Sequence, residues 1–215
     1  HSLIKSDTMK KILLSIVFAA AAFSPMRSVA QSVEELADVM WYKTSYKEIS
    51  AERRAAMNEM QKYADSFTDT LFEEYLNTTA GTEKEQALEG WGLMRFYNMA
   101  LEKLLQEIPA TKVKKGEVVM WQLYNMGYVI KTDKQCFGID LYHKHVEKLA
   151  PLIDFMLITH RHADHYSKAM VEALERQDKA VYSNFLDNGY KVKTGDNFTV
   201  GNISINVTTV DHNAT

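Results

Sequence analysis

A short apolar run at residues 155–158, followed at once by a cluster of polar side chains, constrains the fold more than any other feature. An uninterrupted apolar run of this length is typical of a strand that is covered on both faces, as in the parallel sheet of an α/β protein. Such sheets carry their chemistry just beyond the carboxyl ends of the strands. The run therefore predicts an α/β fold with a functional site directly after residue 158.

The cluster that follows contains four potential metal ligands within six residues: His160, His162, Asp164 and His165. Neutral imidazole is the commonest protein ligand for zinc, and a carboxylate adds a harder oxygen donor. So short a segment does not easily surround one tetrahedral ion, so two adjacent ions sharing the cluster are the easier arrangement. Each ion then needs ligands from elsewhere, and His212 is the candidate within this chain. We therefore expect one or two zinc ions.

The sequence around this cluster predicts short strands and one capped helix. Residues 117–124 and 128–132 are rich in strand formers and are joined by the turn residues Asn125, Met126 and Gly127. A third strand over 136–139 ends at Asp140. Ser167 has the side chain expected at the start of a helix over 168–177, and two further strands are predicted over 198–200 and 203–210.

The spacing His160-x-His162-x-Asp164-His165, after an apolar strand and a threonine, resembles the signature of the metallo-β-lactamase-fold hydrolase superfamily. The wider stretch 157–167 is most similar to the branch with L-ascorbate-6-phosphate lactonase-like and phospholipase D-like enzymes. The resemblance covers residues 116–212. It implies that His160, His162 and His212 bind a first metal and that Asp164 and His165 bind a second. It also implies that the strand-terminal Asp140 supports the metal loop.

This resemblance implies a zinc-dependent hydrolase that attacks an ester, lactone, amide or phosphoester bond of a small-molecule substrate with a metal-activated water. Asp164 would orient that water and so act as a catalytic residue. The superfamily also uses a bridging Asp and a further His downstream of the third His, and this chain stops at Thr215. Residues 111–215 are therefore expected to be the first half of an αβ/βα sandwich, with an incomplete second metal site and weak activity.

Residues 31–110 read as an α-helical region that precedes this partial domain. Apolar side chains at spacings of three and four predict a packed face, and Thr82 with Glu85 predicts a capping box that opens a second helix ending before Pro109. The apolar face of that second helix would include Trp91. An alternative function follows from this region: a helical interaction module whose metal loop is structural and closed by four protein ligands.

Residues 1–30 are interpreted as upstream residues followed by a secretory signal peptide over 9–30. Lys10 and Lys11 precede a twelve-residue apolar stretch over 12–23, and small residues end at Ala30. We therefore expect a periplasmic or secreted protein. The apolar stretch is shorter than a membrane span, so no stable span is expected after signal removal.

Composition excludes some partners and leaves others open. The 25 Lys and Arg residues against 28 Asp and Glu residues give a net charge of −3, so no basic excess indicates a nucleic acid. Cys136 is the single cysteine and has no internal disulfide partner; we expect a small buried hydrophobic side chain there. His143 and His145 have metal-like spacing, but no nearby carboxylate frames them, which favours a surface loop. The pattern indicates no particular oligomeric state.

Overall fold

The computed structural model describes residues 31–66 and 68–210. The predicted signal peptide at 9–30 and the predicted ligand His212 lie outside these residues. Among the helices within the described ranges, none is both long enough and apolar enough to cross a bilayer.

The first part of the described chain is helical. Its elements are α1 (Val33–Asp38), which continues as a π-helical segment (Val39–Lys43), α2 (Ala51–Asp65), α3 (Asp69–Asn77), α4 (Glu83–Glu89) and α5 (Gly92–Ala110). Side-chain oxygens cap the first four of these helices, from Ser32, Ser50, Thr68 and Thr82. Each cap accepts a hydrogen bond from an amide in the first turn, where no intrahelical acceptor exists.

The predicted second helix is divided in two. Helix α4 ends at Glu89 and α5 begins at Gly92, and Trp91 lies 61% exposed at the break instead of on an apolar face. Thr82 does cap α4. The predicted capping box is wrong, because Glu85 Oε2 accepts from the amide of Gly81 at 2.6 Å, one residue before the cap. Pro109 lies inside the last turn of α5 and does not end it.

The second part contains a mixed five-stranded sheet in the order β1-β2-β3-β4-β5. Its strands are β1 (Val119–Gln122), β2 (Tyr128–Lys131), β3 (Cys136–Ile139), β4 (Phe155–Leu157) and β5 (Val181–Tyr182). The first three pair antiparallel, whereas β3, β4 and β5 are parallel. A 3₁₀ segment (Val146–Leu152) connects β3 to β4, and α6 (Lys168–Glu175) connects β4 to β5. The predicted last two strands pair with each other as β6 (Asn197–Val200) and β7 (Ile203–Asn206).

The main core joins the two parts of the chain. Leu104 and Ile108 of α5 are buried in the same apolar cluster as Val129 of β2, Met156 of β4 and Leu174 of α6. The mixed α/β class is therefore confirmed, while the predicted boundary at residues 110 and 111 stays a prediction. Because α5 packs on the sheet, the helical region is fixed beside the strand ends that carry the candidate site.

Candidate metal centre

The candidate site forms where two parallel strands end at the same edge of the sheet. Strand β3 is followed by Asp140 and β4 by Ile158 and Thr159, so the two carboxyl ends meet. The amide of Asp140 donates to the carbonyl of Leu157 at 3.0 Å. Asp140 has φ of 47°, a left-handed conformation that Asp tolerates better than most residues. This turn directs a carboxylate that is only 3% exposed towards the loop of residues 159–165, which we call the metal loop.

Asp140 fixes the positions of its neighbours in the metal loop. Its Oδ1 accepts from the amide of Thr159 at 2.7 Å, and its Oδ2 accepts from the Thr159 hydroxyl, also at 2.7 Å. The same Oδ2 lies 2.9 Å from Nδ1 of His165. A carboxylate can only accept, so Nδ1 of His165 carries the hydrogen and Nε2 keeps its lone pair. This is the arrangement in which a carboxylate orients a metal-binding histidine.

The Thr159 hydroxyl fixes the tautomer of His160 in the same way. Since the hydroxyl hydrogen goes to Asp140, its oxygen accepts from Nδ1 of His160 at 3.0 Å. Nε2 of His160 is then the nitrogen with the lone pair. The rings of His160 and His165 lie 4.0 Å apart between centroids, so both oriented imidazoles share one end of the loop. Both histidines thus have the tautomer that a metal requires at Nε2.

The four candidate ligands lie in two pairs. Nε2 of His160 accepts a hydrogen bond from Nδ1 of His162 at 2.9 Å, and Nε2 of His165 lies 3.8 Å from Oδ2 of Asp164. Two ligand atoms bound to one tetrahedral zinc at 2.0–2.2 Å are about 3.3 Å apart. Zinc binding therefore has to replace the hydrogen bond between His160 and His162 and to bring Asp164 closer to His165. The pairing also follows the sequence expectation, since His160 lies with His162 and Asp164 with His165.

Asp164 is held from a third element, the β1–β2 turn. Asn125 Nδ2 donates a short hydrogen bond to Oδ2 of Asp164. Gly127, in the same turn, allows this approach, because a Cβ there would lie 3.0 Å from the carbonyl oxygen of Asp140. Burial raises the pKa of Tyr124 and of Tyr142, and the negative charge of Asp164 raises both further. Asp164 therefore acts electrostatically on the residues beside the turn.

The structure places His160 beside His162 and Asp164 beside His165, but no three of these four residues have ligand atoms that all lie within 4.8 Å of one another. His212 lies outside the described residues, so its role stays a prediction. Asn125 was missed as a site residue because it carries only a turn signal in the sequence, 39 positions from Asp164. Cys136 is buried as predicted, and burial raises the pKa of its thiol to about 11, which leaves it unreactive.

A second cluster of possible ligands lies between the helical region and the loop after β3. Glu85 and Glu89 of α4 and His145 have ligand atoms that all lie within 4.8 Å of one another. His145 Nε2 is 2.9 Å from Oε1 of Glu85 and 3.5 Å from Oε1 of Glu89. The interpretation of residues 143 and 145 as a surface loop was therefore wrong. Carboxylates do frame His145, but they come from α4, 60 positions upstream for Glu85 and 56 for Glu89.

This second cluster already contains a cation, Lys144. Its Nζ lies 2.9 Å from Oε1 of Glu85 and donates to the carbonyls of Tyr75 at 2.6 Å and Thr78 at 2.7 Å. These partners use all three donors of an ammonium group. His145 Nε2 faces carboxylates and so carries a hydrogen here, and a metal would have to displace both this hydrogen and the Lys144 ammonium group. We call Glu85, Glu89, Lys144 and His145 the buried ion cluster.

The charge of Glu85 is stabilised within the buried ion cluster. Burial alone raises the pKa of this carboxyl group. The Lys144 hydrogen bond, the amide of Gly81 and the charges of Lys144 and His145 outweigh burial and lower the pKa below its usual value. The side chain of Glu85 is 5% exposed and that of Lys144 is 7% exposed. The cluster is thus a largely buried ionic connection between the helical region and the loop that begins at Asp140.

Comparison with known protein families, with curated proteins and with solved structures finds no match for this chain. The assignment of function therefore depends on the geometry of the metal loop.

Proposed function

We propose that the protein is a metal-dependent hydrolase of the metallo-β-lactamase type, with zinc bound at the metal loop. The observation that carries the proposal is the orientation of two imidazoles by one buried carboxylate. Asp140 binds His165 directly and His160 through the Thr159 hydroxyl, so that Nε2 of each carries the lone pair, which His160 uses here to accept from His162. The mixed sheet, with Asp140 at the end of β3, agrees with the first half of the αβ/βα sandwich that the sequence resembles.

In this proposal each residue of the loop has a distinct task. His160 and His162 hold one ion, for which His212 is the predicted third ligand, and Asp164 and His165 hold the second. When bound, zinc makes hydroxide available near neutral pH and polarises the bond under attack. Asp164 orients the attacking water and accepts its proton, while Asn125 fixes the carboxylate for that task. Asp140 and Thr159 are positioning residues because they act through the histidines.

The substrate in this proposal is a small molecule with an ester, lactone, amide or phosphoester bond. The signal-like residues 9–30 support a periplasmic or secreted location for the protein. Export, the second half of the sandwich and the bridging Asp stay predictions from the sequence and its resemblance.

Hydrolysis of 4-nitrophenyl acetate by the zinc-loaded protein tests the proposal. We expect a rate above that of buffer with zinc, loss of that rate with a chelator, and recovery when zinc is added back. The double variant His160→Ala, His162→Ala should lose the rate, while Asp154→Asn, a carboxylate change at the opposite end of β4, should keep it. A rate that survives the chelator or the double variant, or no rate at all, would contradict the proposal.

A further inference from the structure

A cavity lies between the helical region and the β1–β2 hairpin. Its volume is 570 Å³, within the range of about 300–1,000 Å³ that small-molecule sites occupy. Residues from the π-helical segment, from α2, α3 and α5, and from β1 with its following turn all contribute to the lining. We call it the apolar cavity. It is distinct from the metal loop, none of whose residues is part of its described lining.

Aromatic rings form much of its wall. Trp41 stacks on Phe96 at 5.1 Å between ring centroids, and the ring of Tyr97 meets that of Tyr124 edge to face at 5.2 Å. Trp121 and Leu104 add further apolar surface, and both are buried. Aromatic walls of this kind suit a flat or extended apolar group, which makes large contacts without needing hydrogen bonds.

The two cationic side chains in the lining already have partners. Lys103 Nζ binds Oε2 of Glu107 at 2.5 Å, and Arg53 Nη1 donates to the carbonyl of Met40 at 2.5 Å. Asp69 lies in the first turn of α3, where the helix dipole favours a negative charge. The cavity therefore selects an uncharged group over an anion or a cation.

The apolar cavity reaches the metal loop through a single side chain. Asn125 is part of the lining, and its amide group donates to Asp164. Tyr124, also in the lining, has its pKa raised first by burial and then by the charge of Asp164. Asn125 therefore borders both the apolar cavity and the metal loop, so that the two are neighbours across the β1–β2 turn.

We propose that the apolar cavity binds an uncharged alkyl or aryl group of the substrate, so that the enzyme prefers esters and amides of apolar acids. This inference rests on the proposed hydrolase function and deepens it. The helical region then supplies substrate selectivity, because most of the aromatic wall comes from α3, α5 and the π-helical segment. Each buried methylene of the acyl chain strengthens transition-state binding as long as the chain stays inside the cavity.

Binding is tested separately from hydrolysis with N-phenyl-1-naphthylamine, a neutral apolar dye that fluoresces when it leaves water. We expect saturable binding to the wild-type protein and the same affinity in His160→Ala, His162→Ala. Leu93→Trp narrows the cavity and should weaken dye binding at least about tenfold, and Gln122→Trp should do the same from an exposed position of the lining. Met120→Trp adds the same bulk at a 62% exposed site outside the described lining and should have no effect.

Selectivity is tested by comparing 4-nitrophenyl octanoate with 4-nitrophenyl acetate. The wild-type kcat/KM should favour octanoate at least about tenfold, Leu93→Trp should bring the ratio close to one, and Met120→Trp should keep it. Two results overturn this inference and leave the hydrolase proposal standing. One is acetate hydrolysis without a preference for octanoate, and the other is dye binding by both cavity variants that equals that of the wild type. Cavity-dependent dye binding without zinc-dependent hydrolysis overturns the hydrolase proposal while supporting the apolar site.

Discussion

The metal loop and the buried ion cluster each place a histidine beside a buried carboxylate, yet they differ in which ring nitrogen of that histidine faces the carboxylate. In the metal loop, Asp140 accepts hydrogen bonds from Nδ1 of His165 and from the Thr159 hydroxyl, and Thr159 in turn accepts one from Nδ1 of His160. Nε2 of each of these histidines therefore carries the lone pair. In the buried ion cluster, Glu85 accepts from His145 Nε2 itself and from Lys144. The first arrangement prepares ligand atoms for a cation, whereas the second already holds one. Spacing along the chain does not distinguish them, because His143 and His145 are two residues apart, as His160 and His162 are.

The largest effect on stability is expected from removing the cation of the buried ion cluster. Lys144→Met leaves Glu85 buried without its ammonium partner and leaves two carbonyls without a donor. Breaking one side of a buried ion pair costs about 3–5 kcal/mol. We expect the free energy of unfolding in urea to fall by that amount. Lys148→Met, an exposed position in the following 3₁₀ segment, should change it by less than about 0.5 kcal/mol. Equal values for both variants would show that the cluster contributes little.

A substitution in the support of the metal loop should lower zinc affinity more than it lowers the free energy of unfolding. Asp140→Asn removes the acceptor that fixes His165 and Thr159, and the loss of such an orienting carboxylate lowers metal affinity about 10–100-fold. Zinc titration by competition with a chelating dye measures this effect. Asp154→Asn is the matched control, since its Oδ2 accepts from the amide of Cys136 at 2.8 Å, away from the loop. Unchanged zinc affinity in Asp140→Asn would contradict the positioning role.

The sequence predicted the parts of the fold that depend on neighbouring residues. The apolar run became β4, the strand over 136–139 was placed correctly, and Ser167 caps α6 by accepting from the amide of Met170. The break at Trp91 and the partners of His145 were not predicted. The carboxylates of α4 reach His145 only because α5 packs on the sheet, and no local pattern in the chain contains that contact. Asn125 was missed for the same reason.

A pH dependence of stability is expected from His143, which lies just before the buried ion cluster in the chain. Burial lowers the pKa of His143 to about 3, and its ring stacks on Tyr97 at 3.9 Å. The unfolded chain has the ordinary value near 6.5, so between these values it binds more protons than the folded protein. The free energy of unfolding therefore decreases as the pH falls from 6.5 towards 3. His143→Phe keeps an aromatic ring on Tyr97 and removes the titrating group.

Urea unfolding at pH 6.5 and at pH 5 measures this effect. We expect the wild-type protein to lose about 1.5 kcal/mol more than His143→Phe between the two pH values, because one pKa unit corresponds to about 1.4 kcal/mol. Identical losses in the two proteins would show that His143 is not kept neutral by the fold.

The smallest effect is expected at the β1–β2 turn. Asn125→Gly keeps the left-handed conformation, with φ of 46°, but removes the hydrogen bond to Asp164. Loss of one hydrogen bond to a charged group should weaken zinc binding about threefold to tenfold. Asp178→Gly, at another left-handed position with φ of 55°, serves as the control and should leave zinc affinity unchanged. A decrease of the same size in both variants would contradict the role assigned to Asn125.

The central claim, that the metal loop binds the metal and the buried ion cluster does not, is tested most directly by calorimetric zinc titration of three proteins. These are the wild type, His160→Ala, His162→Ala, and Glu89→Gln, His145→Gln, each first shown to be folded by its thermal transition. We predict that the first double variant loses zinc affinity about a thousandfold or more, since two of the protein ligands are gone. The second should bind as the wild type does. Loss of binding in the second variant, with full affinity in the first, would contradict the account.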